Sequence, residues 1–109
     1  MGTLRYDGQW VEFDDELLTH LQIVIVGKLR RGESFLMTWR DSAERGDGRS
    51  SIWVHPSHSL TFHLSDAAPI DEAWIQQLTR SANSPEGLVI TRRSQGSMRE
   101  ADGLDASRP

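Results

Sequence analysis

The sequence predicts an α+β domain, in which a small, mostly antiparallel sheet carries two helices packed on one face, in the order β-β-α-β-β-β-α-β. Short stretches in which apolar and polar residues alternate indicate half-buried strands. Two longer stretches repeat their apolar residues at helical spacing and are bounded by helix start and stop signals. Strands that come in runs, with helices between the runs, are typical of the α+β class.

A single domain is predicted over 1–92, followed by a polar, disordered tail over 93–109. The chain has 109 residues, which is close to the commonest domain size. After Thr91 the sequence shows no apolar period. A segment that can bury little apolar surface is expected to stay disordered.

The first element is a hairpin, predicted from two short stretches over 3–6 and 10–13. Asp7 and Gly8 lie between them. This pair is favoured in tight hairpin turns because both residues tolerate positive φ. The chain is therefore predicted to begin with two antiparallel strands.

A helix is predicted next, over 15–31. Leu17 and Leu21 fall on one face at helical spacing, and Gly32 is suited to the position just after a helix end. A strand over 22–26 is the alternative, because that run is rich in β-branched residues. The signals at both ends favour the helix.

Ile23 and Val26 point away from the main apolar stripe of this helix. Packing against the second helix would explain them, since small domains bury helices on more than one side. Contact with a second copy of the chain is the alternative. A homodimer through the first helix is therefore one hypothesis for the partner.

Three strands are predicted in the middle of the chain, over 33–40, 51–55 and 60–64, each from alternating apolar and polar residues. A polar hairpin loop over 41–50 joins the first two. Pro56 ends the second, because proline cannot donate to a strand ladder.

A second helix is predicted over 71–83, and a short closing strand over 88–91. Asp71 is a suitable N-cap, because its carboxylate can accept hydrogen bonds from the first N–H groups of the helix. Trp74 on this helix and Trp39 on the preceding sheet are predicted core residues by their period.

The composition limits the classes of function. The net charge of −4 disfavours a basic nucleic-acid module with clustered Lys and Arg. Cysteine is absent, which excludes disulfides and thiolate chemistry. The chain begins without a signal-peptide pattern, and its longest apolar run, 23–26, is too short to cross a bilayer. We expect a soluble, cytoplasmic protein that does not bind a membrane.

Three histidines, His55, His58 and His63, lie close together in the sequence. Imidazole binds zinc well, but no cysteine or suitably spaced carboxylate completes a ligand set. These histidines are therefore predicted to be ordinary strand and loop residues. Neither a metal nor another cofactor is expected.

A contact surface is predicted on the strand over 51–55 and beside the loop that precedes it. The indole of Trp53 can stack on a partner if its face is uncovered, although the first helix is an alternative cover for it. The arginines can bind phosphate or carboxylate, although a solvated hairpin tip is the favoured explanation for them. The predicted surface comprises Arg40, Arg49, Ser50, Ser51, Trp53, His55 and His63.

Five segments stand out together: MGTLRY over 1–6, FDDELL over 13–18, KLRRGESF over 28–35, GRSSIWVHPS over 48–57 and ANSPEGL over 82–88. They resemble a family of short actinobacterial proteins that has no settled function and whose members are often labelled "ATP-dependent DNA ligase". The resemblance covers roughly residues 1 to 91. This resemblance implies the activity that the label names, which is the ATP-dependent ligation of DNA.

The ligase label is tested by the lysine that such an enzyme needs. An ATP-dependent ligase forms a covalent adenylate on a lysine that is followed two positions later by Asp-Gly. The one lysine here, Lys28, is followed by Leu-Arg-Arg, so no catalytic residue carries over.

The predicted function is a non-catalytic binding or interaction module with a protein or nucleic-acid partner. The family resemblance implies that this module is an accessory of DNA ligation or repair. An enzyme that handles nucleotides or phosphoesters, such as the labelled ligase, is the alternative.

Overall fold

The computed structural model describes residues 1–41, 48–66 and 68–90. Within these ranges the chain forms six strands and two helices, and their order confirms the predicted α+β class. The elements are β1 Gly2–Tyr6, β2 Gln9–Phe13, α1 Asp15–Arg30, β3 Phe35–Arg40, β4 Arg49–Val54, β5 Leu60–His63, α2 Glu72–Ala82 and β6 Leu88–Val89.

Two of the predictions fall outside these ranges. The centre of the loop over 41–50 and the tail over 93–109 lie among residues that the structure does not describe. The domain boundary at residue 92 therefore stays a prediction.

The six strands form two sheets of three strands each within the described ranges, whereas the sequence predicted one sheet. The first sheet has the order β2-β1-β5 and is antiparallel throughout. The second has the order β4-β3-β6, with β6 running parallel to β3. Alternation in the sequence specifies which face a residue lies on but not which strand pairs with which. This is why the division into two sheets was missed.

Residues 22–26 are helical, as the signals at the two ends of the helix predicted. Val24 and Ile25 continue the buried stripe that begins with Leu17. Ile23 is 43% exposed, so packing against α2 does not cover it. The burial of one helical face thus outweighs the β-branched composition of the run.

One apolar core joins both helices to the inner faces of both sheets. Trp39 and Trp74 belong to it, as their period predicted. The aromatic ring of Phe13 meets Trp39 edge-on, with ring centroids 5.8 Å apart. The buried apolar residues are Leu4, Phe13, Leu17, Leu18, Leu21, Val24, Ile25, Phe35, Met37, Trp39, Val54, Trp74, Leu78, Ala82, Leu88 and Ile90.

His20 is a buried polar residue that connects the two helices. Its Nδ1 lies 2.7 Å from the carbonyl oxygen of Glu16, and its Nε2 accepts a hydrogen bond of 2.9 Å from the backbone N–H of Asp71. Because Nε2 accepts, Nδ1 carries the proton, and the ring is neutral. The imidazole also lies over Trp74, with centroids 4.4 Å apart. His20 therefore helps to fix where α2 begins.

Gly87 lets β6 approach β3 closely. Its φ is +83°, and a Cβ atom at this position would lie 2.3 Å from the carbonyl oxygen of Leu36. Neither the dihedral angle nor the space admits a side chain without a shift of the backbone. The pairing of β6 with β3 depends on this glycine.

We expect the substitution Gly87→Ala to lower the free energy of unfolding by about 2 kcal/mol or more, because it combines left-handed strain with a clash against backbone. Chemical denaturation monitored by circular dichroism measures the change. Gly27→Ala is the matched control: a Cβ there meets only the end of Arg31, at 4.0 Å. Alanine at this helical position should raise the stability by about 0.5–1 kcal/mol. Equal stability of the two variants would contradict this account of Gly87.

Candidate binding surface

The outer face of the second sheet carries most of the predicted surface residues. The register places Arg40 opposite Arg49, Thr38 opposite Ser51 and Leu36 opposite Trp53. Trp53 is 54% exposed. The sequence left open whether the first helix covers this indole. In the structure the indole is exposed.

Two predicted residues lie elsewhere. Ser50 faces the inner side of β4, opposite the buried Trp39, and its hydroxyl donates to Oδ1 of Asp41 at 2.7 Å. His63 belongs to β5 in the other sheet, where it lies opposite Thr3. Neighbouring residues on a strand point to opposite faces, and β5 pairs with β1. Neither residue therefore joins the surface on the second sheet.

His55 follows the end of β4 and is exposed. Its Nδ1 accepts hydrogen bonds from Ser57, at 3.1 Å from the backbone nitrogen and 2.8 Å from the hydroxyl oxygen. The proton therefore sits on Nε2. The ring of His58 lies 5.6 Å away, centroid to centroid. Among the described residues, no group of three His, Asp or Glu side chains is placed to hold a metal ion.

The pairing of β4 with β3 determines which way the backbone N–H and C=O groups of β4 point. The N–H of Asp41 donates to the carbonyl of Gly48 at 2.7 Å, so positions 41 and 48 form a hydrogen-bonded pair. Hydrogen-bonded and non-hydrogen-bonded pairs alternate along an antiparallel ladder. Arg49, Ser51 and Trp53 therefore lie in non-hydrogen-bonded pairs, and their N–H and C=O groups turn away from β3.

Among the described residues, β4 is an edge strand of its sheet, and these backbone groups face its open side. On the far side of β3, the carbonyl of Thr38 accepts from the N–H of Ile90 at 2.9 Å, which agrees with the same alternation. Side chains of non-hydrogen-bonded pairs lie closest together. Accordingly, the hydroxyl oxygens of Thr38 and Ser51 are 2.7 Å apart.

The arginine pair gives this face local positive charge on a chain whose net charge is −4. Arg49 is exposed and forms no ion pair with a described residue. The guanidinium of Arg49 can therefore bind a carboxylate or a phosphate.

Tyr6 connects the first sheet to the end of β4, and the sequence analysis missed it. Its hydroxyl donates to the carbonyl oxygen of Trp53 and also contacts Nδ1 of His58. The phenol has one proton, so the His58 nitrogen is the donor in the second contact. Burial, and then the charge of Asp7, raise the pKa of Tyr6 above its usual value. A lone tyrosine in an alternating strand carries no sequence signal for such a contact.

The amine of Lys28 forms contacts that stabilise the fold. Its Nζ donates to Oδ1 of Asn83 at 3.0 Å, lies 3.2 Å from Oε1 of Glu33, and sits 5.6 Å from the ring centre of Phe35. Hydrogen bonds from Arg31 and then Lys28 lower the pKa of Glu33. The amine thus joins the end of α1 to the end of α2 and the start of β3, and its side chain is only 9% exposed.

The chain belongs to the family described as a domain of unknown function (DUF7882), whose model matches residues 1–93. Neither the curated proteins nor the solved structures contain a match to it. In the described part of the chain, both helices are too short or too polar to cross a membrane.

Tyr6→Phe should lower the free energy of unfolding by about 1 kcal/mol, because the carbonyl of Trp53 and the ring of His58 lose their partner. Chemical denaturation measures it. Tyr6 is the one tyrosine of the chain, so tyrosinate absorbance reports its ionisation alone. We expect a midpoint above 10.0, the ordinary pKa of the group.

The pH dependence has a definite sign. A raised pKa in the folded state means that this contribution to stability is present below about pH 10 and is lost as the pH rises through the folded pKa. Wild type should therefore lose its advantage over Tyr6→Phe at alkaline pH. A tyrosine that titrates at or below its ordinary pKa would contradict the contact.

Proposed function

We propose that this protein is a non-catalytic binding module, and that it binds an extended, acidic segment of a partner protein along the open edge of β4. The observation that carries the proposal is the outward direction of the backbone groups of Arg49, Ser51 and Trp53, beside exposed guanidinium and indole side chains. A strand edge of this kind accepts an additional strand, whose main chain supplies affinity and whose side chains supply specificity.

The available backbone groups set the length of the contact. The carbonyl of Trp53 is already occupied by the hydroxyl of Tyr6. The N–H of Trp53 and both backbone groups of Ser51 and Arg49 have no partner among the described residues. An added strand would therefore pair with the stretch from Trp53 back to Arg49, and Tyr6 would mark its end.

The side chains set the chemistry of the partner. Arg49, which lies opposite Arg40 at one end of the face, favours a carboxylate. Trp53 and Leu36, which is 37% exposed, lie at the other end and favour an apolar or aromatic residue. The fitting segment is a short strand that is acidic at one end and apolar at the other.

The family resemblance suggests where such a partner acts. If the module is an accessory of DNA ligation or repair in the cytoplasm, its partner is a protein of that machinery. The ligase reaction itself is disfavoured, because the amine of Lys28 is held by Asn83 and Glu33. Direct binding of single-stranded DNA to Trp53 is a competing outcome, disfavoured by the net charge of −4.

Blocking the edge tests the proposal. The probe is an acidic, strand-forming peptide selected from a displayed peptide library, and its dissociation constant is measured by calorimetry. Ser51→Pro removes an outward N–H that the β3 ladder does not use, so the sheet should tolerate it. We expect binding to weaken by about tenfold or more. Ser51→Ala, which loses the same hydroxyl but keeps the N–H, should bind within about twofold of wild type.

The side-chain contribution is tested by Trp53→Ala combined with Arg49→Glu. The control is Trp10→Ala, because Trp10 is 53% exposed on the other sheet. The double variant should lose binding with nearly unchanged thermal stability, and the control should keep both. If Ser51→Pro binds as well as Ser51→Ala, the edge is not the site. If an oligo(dT) strand binds at Trp53 and no acidic peptide is selected, the partner is nucleic acid and the proposal fails.

A further inference from the structure

The first sheet has an exposed face of its own, which carries a shallow, open depression. A cleft of about 480 Å³ lies on it, lined by Thr3, Arg5, Trp10, Thr61 and His63. Cavities that bind small molecules in proteins are typically about 300–1,000 Å³. We propose that this cleft binds a small ligand in which a planar ring carries an anionic group.

The strand register brings these side chains together. On the central strand β1, Arg5 lies opposite Trp10 of β2 on one side and opposite Thr61 of β5 on the other. Two positions along, Thr3 lies opposite His63. Each strand contributes alternate residues to the same face, so the five side chains line one surface.

The polar groups of the cleft are not used by the fold. No described residue forms a hydrogen bond with the side chains of Arg5, His63 or the two threonines, and no described carboxylate forms an ion pair with Arg5. The guanidinium of Arg5, the imidazole of His63 and the two threonine hydroxyls therefore lie together on this face and are available to a ligand. This set suits the oxygens of a phosphate or a carboxylate.

Trp10 supplies the other half of the site. Its indole is 53% exposed and lies directly across from Arg5. An exposed indole offers a face on which a planar ring can stack, next to the cation that would hold the anionic group. One nearby group opposes the anion: the carboxylate of Glu12 lies opposite Thr3 on the same face, outside the lining.

The test is an NMR titration of the full chain, which follows the indole N–H signals of the tryptophans after assignment with Trp→Phe variants. The probes are phenyl phosphate, benzoate, phenol and inorganic phosphate. We expect phenyl phosphate or benzoate to shift the Trp10 signal and leave the Trp53 signal in place. The stronger of these two shows whether the site prefers phosphate or carboxylate. Phenol and inorganic phosphate each use half of the site and should bind at least about tenfold more weakly.

Variants separate the cleft from general charge effects. Arg5→Gln should weaken binding of the stronger probe by about tenfold or more, whereas Arg80→Gln, which removes an exposed arginine from α2, should not. Glu12→Gln should strengthen it. The proposal is overturned if no probe shifts Trp10, if inorganic phosphate binds as well as the ring-bearing probes, or if Arg5→Gln and Arg80→Gln have equal effects.

Discussion

The burial of one face of each sheet against a shared core is the constraint on which the rest of the structure depends. Leu4 of β1 and Met37 of β3 are both fully buried in that core. Strand alternation then requires the intervening residues to face solvent. Burial therefore decides that Arg5 is exposed on one sheet and that Trp53 is exposed on the other. Both proposed surfaces follow from where the core lies.

The hydroxyl of Tyr6 relates the two sheets. It extends from β1 and donates to the last outward carbonyl of β4, which is that of Trp53. A residue of the first sheet therefore blocks one end of the β4 edge. An unprotected edge strand invites pairing with other chains. The contact limits that exposure to the stretch from Arg49 to the N–H of Trp53. Fold stability and the length of the proposed binding edge are thus coupled through a single side chain.

Local signals in the sequence were sufficient for the elements and for the faces of Trp39 and Trp53, although Ser50 was placed on the wrong face of β4. The period of Trp39 placed it in the core, and the period of Trp53 placed it with Ser51 on one strand face, as the structure has them. The carboxylate of Asp71 accepts hydrogen bonds from the N–H groups of Ala73 and Trp74, as expected of an N-cap. These features depend on residues that are near one another in the chain.

Contacts between distant segments could not be predicted in this way. His63 was grouped with Trp53 because β5 follows β4, but β5 pairs with β1. The same pairing creates the cleft, since Thr61 and His63 meet Arg5 and Thr3 only across that ladder. The roles of His20 and Tyr6 likewise depend on partners about fifty positions away. One sequence alone does not specify pairings over that separation.

The position of each strand within its sheet explains why the two surfaces suit different ligands. Trp10 and Trp53 are almost equally exposed, and each lies on a face that also carries an arginine. However, β1 is a central strand whose backbone groups are used on both sides, so its face offers side chains alone. A site built only from side chains fits a small molecule. Because β4 is an edge strand, its backbone is also available, and a backbone edge is matched best by another backbone. The same pair of residue types therefore supports a small-molecule cleft on one sheet and a peptide-binding edge on the other.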